Sequence, residues 1–128
     1  THCSFFSLNS RRPWCDFVYI NYFHYVLRDD CDITAYRELS EAMYELVAGD
    51  PMYGFVSVER FGTDREGVVL ERFLTLEGAA RWAKCAEHRA AMRRGRSEFY
   101  ERYEGAGTLI DHEYSFDRSL LRGADSFQ

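Results

Sequence analysis

Along residues 16–28 the chain is apolar on both alternating faces. Phe17, Tyr19, Asn21, Phe23, Tyr25 and Leu27 form one row, and Val18, Ile20, Tyr22, His24 and Val26 form the other. Such aromatic and β-branched density predicts a strand, and a strand apolar on both sides needs cover on both. After the polar break at Asp29, Asp30, Cys31 and Asp32, residues 33–48 switch to helical period. Tyr36, Leu39, Met43, Leu46 and Val47 share a stripe, while Arg37, Glu38, Glu41 and Glu45 lie off it. Asp32 suits the helix cap, and Gly49, Asp50 and Pro51 suit its end.

A second strand is expected over residues 52–61, a Gly-bounded turn over 62–67, and a third strand over 68–74. Thr75 is placed to cap one long second helix. That helix carries two stripes, the first through Ala79, Trp82, Ala83, Ala86 and Ala90, the second through Cys85, His88, Met92, Gly95 and Phe99. Two stripes imply a second contact surface or a bend, and Gly95 is the expected place for the bend. A last strand is expected over residues 106–116, with Ile110, His112, Tyr114 and Phe116 on one side. The order β-α-β-β-α-β predicts an α+β, ferredoxin-like sandwich with both helices on one sheet face. The other face is too apolar for water, so a homodimer with a barrel-like interior is expected. The chain divides into an arm at 1–15, one domain at 16–117 and a polar tail at 118–128.

Composition narrows the function classes. Aromatic residues make up 16% of the 128 residues, enough to fill a core, an interface or a pocket. The formal net charge of -5 argues against nucleic acid as a partner. Arg89, Arg93, Arg94 and Arg96 are interleaved with Glu87, Glu98, Glu101 and Glu104, which reads as a salt-bridged solvated helix face. Cys3, Cys15, Cys31 and Cys85 form no C-x-x-C pair and have no His at zinc-ligand spacing, so no metal site is expected. Ordinary reduced thiols and a cytoplasmic setting fit this usage, and whether Cys3 and Cys15 bridge stays open. No run approaches the roughly 20 apolar residues of a membrane span, so no membrane partner is expected. Residues 1–14 read as a loose arm rather than a secretory signal.

Three groups of residues carry a family resemblance. The helix block holds Arg81-Trp82-Ala83-Lys84, Glu87-His88-Arg89-Ala90-Ala91, Arg94-Gly95-Arg96 and Phe99-Tyr100. Tyr53-Gly54-Phe55-Val56-Ser57-Val58-Glu59 precedes it, and Glu113-Tyr114-Ser115-Phe116 closes it. In order and spacing these resemble the antibiotic biosynthesis monooxygenase (ABM) domain family. The resemblance implies a dimeric α+β barrel with a pocket between sheet and helices. Some members of that family oxidise phenolic polyketides such as anthrones with O2 and no cofactor, and others degrade haem. Many relatives carry Trp in the third strand where this chain has Phe73. The iron-binding His of the haem-degrading branch falls near Met92, which is a poor haem ligand by itself.

The resemblance therefore implies a cofactor-independent monooxygenase acting with O2 on a small aromatic substrate. The alternative is a non-catalytic small-molecule-binding or structural dimer of the same fold. Cofactor-free oxygenation needs a base for the substrate proton, donors for the anion and a dry pocket. His88, Asn21 and Trp82 are the candidate catalytic residues, with Arg72, Phe73 and Tyr114 as candidate substrate contacts. Each has a plainer reading: Asn21 as a satisfied structural amide, Trp82 as core, His88 as a surface or interface imidazole bonded to a carboxylate. No nucleophile triad or phosphate loop is present.

Overall fold

A computed structural model describes residues 18–123 of the protein. The expected arm, Cys3, Cys15, Asp16 and Phe17 lie outside the described residues. The elements run β1 (Tyr19–Leu27), α1 (Ile33–Gly49), a 3-10 turn (Pro51–Tyr53), β2 (Phe55–Gly62), β3 (Glu66–Phe73), α2 (Leu76–Lys84), α3 (Ala86–Arg94), a π turn (Gly95–Phe99), β4 (Tyr100–Leu109) and the short α4 (Arg118–Gly123). The sheet is antiparallel in the order β2-β3-β1-β4. This is the expected α+β, ferredoxin-like arrangement.

Local chemistry fixes most of the boundaries. The Asp32 carboxylate accepts from the Ala35 N–H at 3.0 Å and starts α1. Thr75 does the same for α2 through the Gly78 N–H, also at 3.0 Å. Pro51 converts the chain after α1 into a single 3-10 turn, which moves the start of β2 from Met52 to Phe55. A bulge between Phe55 and Ser57 then sends Phe55 and Val58 to the helix side and Ser57 to the other side. The core under the helices joins Val47, Tyr53, Phe73, Ala79 and Trp82, each at most 9% exposed. Burying a large apolar side chain of this kind contributes about 1.5–3 kcal/mol.

Two expectations about the second half are corrected. The second helix does not run on to bend at Gly95. It breaks at Cys85, whose extended backbone (φ -60°, ψ 130°) separates α2 from α3. Gly95 is instead a point of close approach: the Tyr100 ring lies where a Cβ would stand. The last strand begins at Tyr100, not Ala106, and ends at Leu109. Ile110, His112, Tyr114 and Phe116 follow it outside any strand, with Tyr114 89% and Phe116 68% exposed. The glycines of β4 explain its weak strand signal. The Tyr19 ring of β1 covers Gly107, where any Cβ would collide with the phenol, so an ordinary strand side chain has no room.

Pairing register assigns the two faces of the sheet. Tyr19, Asn21, Phe23 and Tyr25 share the helix side with Val69, Glu71 and Phe73. Ile20, Tyr22, His24 and Val26 share the opposite side with Arg72, Leu70, Val68 and Glu66. α1, α2 and α3 pack on the first side, and Tyr22 and Phe61 are exposed on the second.

Candidate functional site

A cavity of about 580 Å³ opens between the helix side of the sheet and α1, α2 and α3. Such a volume accommodates a small organic ligand. The sheet supplies Asn21, Phe23 and Tyr25 from β1, Arg60 from β2, and Val69, Glu71 and Phe73 from β3. The helices supply Tyr36, Met43 and Tyr44 from α1, Trp82 from α2, and His88 and Met92 from α3. One end is almost wholly aromatic. Phe23, Tyr25, Tyr36, Tyr100 and Tyr103 pack with ring centroids 5.1–5.9 Å apart. The Tyr36 and Tyr100 hydroxyls meet at 3.2 Å. Burial raises both phenols, Tyr100 to about 12, so they stay protonated at neutral pH.

The break at Cys85 assembles the other end. In an unbroken helix, residues six apart would point about 120° away from each other and lie about 9 Å apart along the axis. Here the His88 ring stacks on Trp82, with centroids 4.4 Å apart and planes 19° off parallel. Its Nδ1 lies 3.1 Å from the Trp82 carbonyl oxygen. A carbonyl only accepts, so Nδ1 carries the hydrogen and donates it, leaving Nε2 as the acceptor of a neutral ring. Burial lowers the pKa of His88 below its ordinary value, outweighing the hydrogen bond to Trp82. The ring is therefore neutral at physiological pH, with Nε2 unprotonated.

Glu71 is the residue the sequence reading missed. Its carboxylate accepts from the Tyr44 hydroxyl at 2.7 Å and from Asn21 Nδ2 at 3.4 Å. Burial raises its pKa, while the two hydrogen bonds and the Arg60 charge pull it down. The Arg60 guanidinium lies over the Tyr44 ring, 4.5 Å from its centroid. One signal was available: Glu71 alternates with Val69 and Phe73, an acid in an otherwise apolar row that faces the helices.

Of the six expected site residues, Asn21, Trp82, His88 and Phe73 line this one cavity. Asn21 also has its structural partner, Glu71, and Phe73 is 2% exposed in the core beneath. Arg72 and Tyr114 do not join them. Arg72 is next to Phe73 on a strand and so points from the opposite face, where its NH1 pairs with Glu113 at 2.6 Å. Tyr114 lies past the end of β4 and is almost fully exposed. No group of three or more His, Cys, Asp or Glu side chains placed to hold a metal occurs among the described residues. No described helix is long and apolar enough to cross a membrane.

The fold is that of ABM-like domains, as solved structures show. A Nitrosomonas europaea protein named for the antibiotic biosynthesis monooxygenases superposes with a TM-score of 0.63 at 15% identity, covering 77% of this chain and 95% of its own. SnoaB, a cofactor-independent oxygenase from Streptomyces nogalater, superposes at 0.62 with 10% identity, covering 76% and 96%. Rv0793 of Mycobacterium tuberculosis gives 0.64 with 15% identity, covering 77% and 99%. At these identities the likeness is one of fold. No protein-family profile matches the chain. In sequence, the uncharacterized protein YqjZ of Bacillus subtilis (strain 168) is 31% identical over 87 residues, 67% of this chain and 75% of YqjZ. The chain therefore belongs to the same family as YqjZ, and it has the fold of the ABM-like structures.

Proposed function

We propose that the protein is a cofactor-independent monooxygenase that uses O2 to oxidise a small aromatic or polyketide-like molecule bound in this cavity. The observation that carries the proposal is the neutral His88 beside Trp82 in an aromatic-walled cavity that Asn21 also lines. SnoaB, a neighbour in fold, supports the same class of reaction. An activated methylene flanked by phenolic rings loses a proton to His88 Nε2. The carbanion passes one electron to O2, and the two radicals combine into a peroxide. The peroxide takes the proton back from His88 and loses water, leaving a carbonyl. In sum, one CH2 group and O2 become C=O and H2O. Asn21 and Trp82 supply polar hydrogens for the transient anion, and the aromatic wall excludes water.

The same reading makes the protein a homodimer. The open sheet side presents Ile20, Tyr22, Val26, Val68 and Leu70, an apolar strip whose water exposure a second copy removes. Oxygen-electrode measurements with a panel of anthrones and quinols in chelator-treated buffer test the activity. Substrate-dependent uptake, one O2 per carbonyl formed, is expected. No uptake across the panel by folded dimer would overturn the oxygenase assignment and leave a binding protein.

A further inference from the structure

We propose that Glu71, held by Tyr44 and Asn21, is the specificity-determining group of this cavity. It favours flat molecules that present a neutral O–H or N–H donor and turns away those that present a carboxylate. The inference rests on the reading of the cavity as a substrate site.

Glu71 is the one carboxylate among the described residues that line the cavity. A carboxylate offers about four acceptor positions. Two are engaged, by the Tyr44 hydroxyl at 2.7 Å and by the longer Asn21 contact at 3.4 Å. Among the described residues Glu71 makes no ion pair within 4.0 Å. Arg60 turns instead onto the Tyr44 ring and toward Ser40 Oγ at 3.4 Å. Glu71 thus lines the cavity with acceptor capacity beyond these two bonds and with no described cation paired to it. Tyr44 keeps its proton, because burial and the adjacent carboxylate both raise it, so it remains a donor that fixes the Glu71 oxygens in place. A ligand hydroxyl completes this arrangement with a charge-assisted hydrogen bond. A ligand carboxylate would instead set two like charges side by side in a half-buried space.

The test is calorimetric binding to the full chain, without oxygen and at mildly alkaline pH, which favours the ionised form of Glu71. The probes are 2-naphthol, 2-methoxynaphthalene and 2-naphthoate, which share a ring system and differ at one substituent. 2-Naphthol should bind about tenfold or more tighter than the ether, and the naphthoate should bind weakest. In Glu71→Gln the gap between naphthol and naphthoate should collapse to about threefold or less. Tyr44→Phe should keep the order of the probes and weaken the preference. If Glu71→Gln does not fold, the wild-type order and Tyr44→Phe decide. Equal affinity for naphthol and the ether, an unchanged preference in a folded Glu71→Gln, or no binding by any probe overturns the inference. Oxygen uptake on the same preparations separates the two proposals. Donor preference without uptake retires the oxygenase and keeps Glu71 as the selector, and uptake without donor preference does the reverse.

Discussion

Replacing His88 by glutamine should change how stability depends on pH, and the sign follows from the surroundings of the ring. At pH values well above the ordinary His pKa of about 6.5 the imidazole is neutral in both folded and unfolded chains. There the substitution loses the stack on Trp82, worth about 0.5–1.5 kcal/mol for a ring pair. It also disturbs the Nδ1 bond to the Trp82 carbonyl, worth about 0.5–1.5 kcal/mol, which the Gln amide partly restores. A loss of about 1–2 kcal/mol is expected, each kcal/mol lowering Tm by about 4–8 °C in a domain of this size. Burial lowers the pKa of folded His88, so the unfolded chain binds the proton first as the pH falls. The stabilisation from His88 is therefore complete above its unfolded pKa and is lost as the pH drops through the folded value. Inside that window the slope is at most about 1.4 kcal/mol per pH unit. Glu71 acts in the opposite sense. Its folded pKa is raised, so its contribution is complete below its ordinary value and is lost as the pH rises through the folded one. The two slopes oppose each other in the wild type, but Glu71 is common to both proteins and cancels in their difference. Urea denaturation of both proteins across a pH series measures that difference. The gap between them should shrink on acidification below pH 6.5. A gap that stays constant, or widens, would refute the buried neutral imidazole.

Other perturbations probe separate parts of the structure. Phe73→Ala, at a site 2% exposed, should cost about 3–5 kcal/mol in chemical denaturation. Gly95→Ala should destabilise by about 1–3 kcal/mol despite the better helix propensity of alanine, because the added methyl meets a Tyr100 ring already packed by Tyr36 and Tyr103. Tyr22→Glu, in the middle of the open sheet side, should convert a sedimenting dimer to a folded monomer; dimer persisting at micromolar protein would remove that face as the interface. Tyr114→Ala should leave thermal stability within about 0.5 kcal/mol and ligand binding unchanged, since its side chain is almost wholly in water.

Much of the fold is legible along the chain because its causes are local. Asp32 and Thr75 act on atoms three residues away, and they set the starts of α1 and α2 where they stand. The double-sided apolar run of β1 called for cover on both faces, and the helices supply it on the face that carries Asn21, Phe23 and Tyr25. The failures have a common origin in contacts between distant residues. The strand at Tyr100 was hidden because Glu98, Glu101 and Arg102 continue a helical charge pattern, and Gly105 and Gly107 lack side chains to show alternation. At Gly107 that lack makes sense only against the Tyr19 ring, more than eighty residues earlier in the chain. Arg72 and Phe73 cannot both face the cavity, because strand geometry sends neighbours to opposite faces.

Residue pattern alone specified an α+β sandwich, its helix caps and an aromatic surplus that must be enclosed. These follow from side-chain type and period, which act over a few residues. Only the tertiary structure decided that Trp82 and His88 stack, because a break at Cys85 cancels the rotation a continuous helix would impose. It alone decided that Glu71, Tyr44 and Asn21 meet, because three separate elements must pack before their polar atoms come within bonding distance. The elements were written in local preferences, and the chemistry arises where packing brings those elements together.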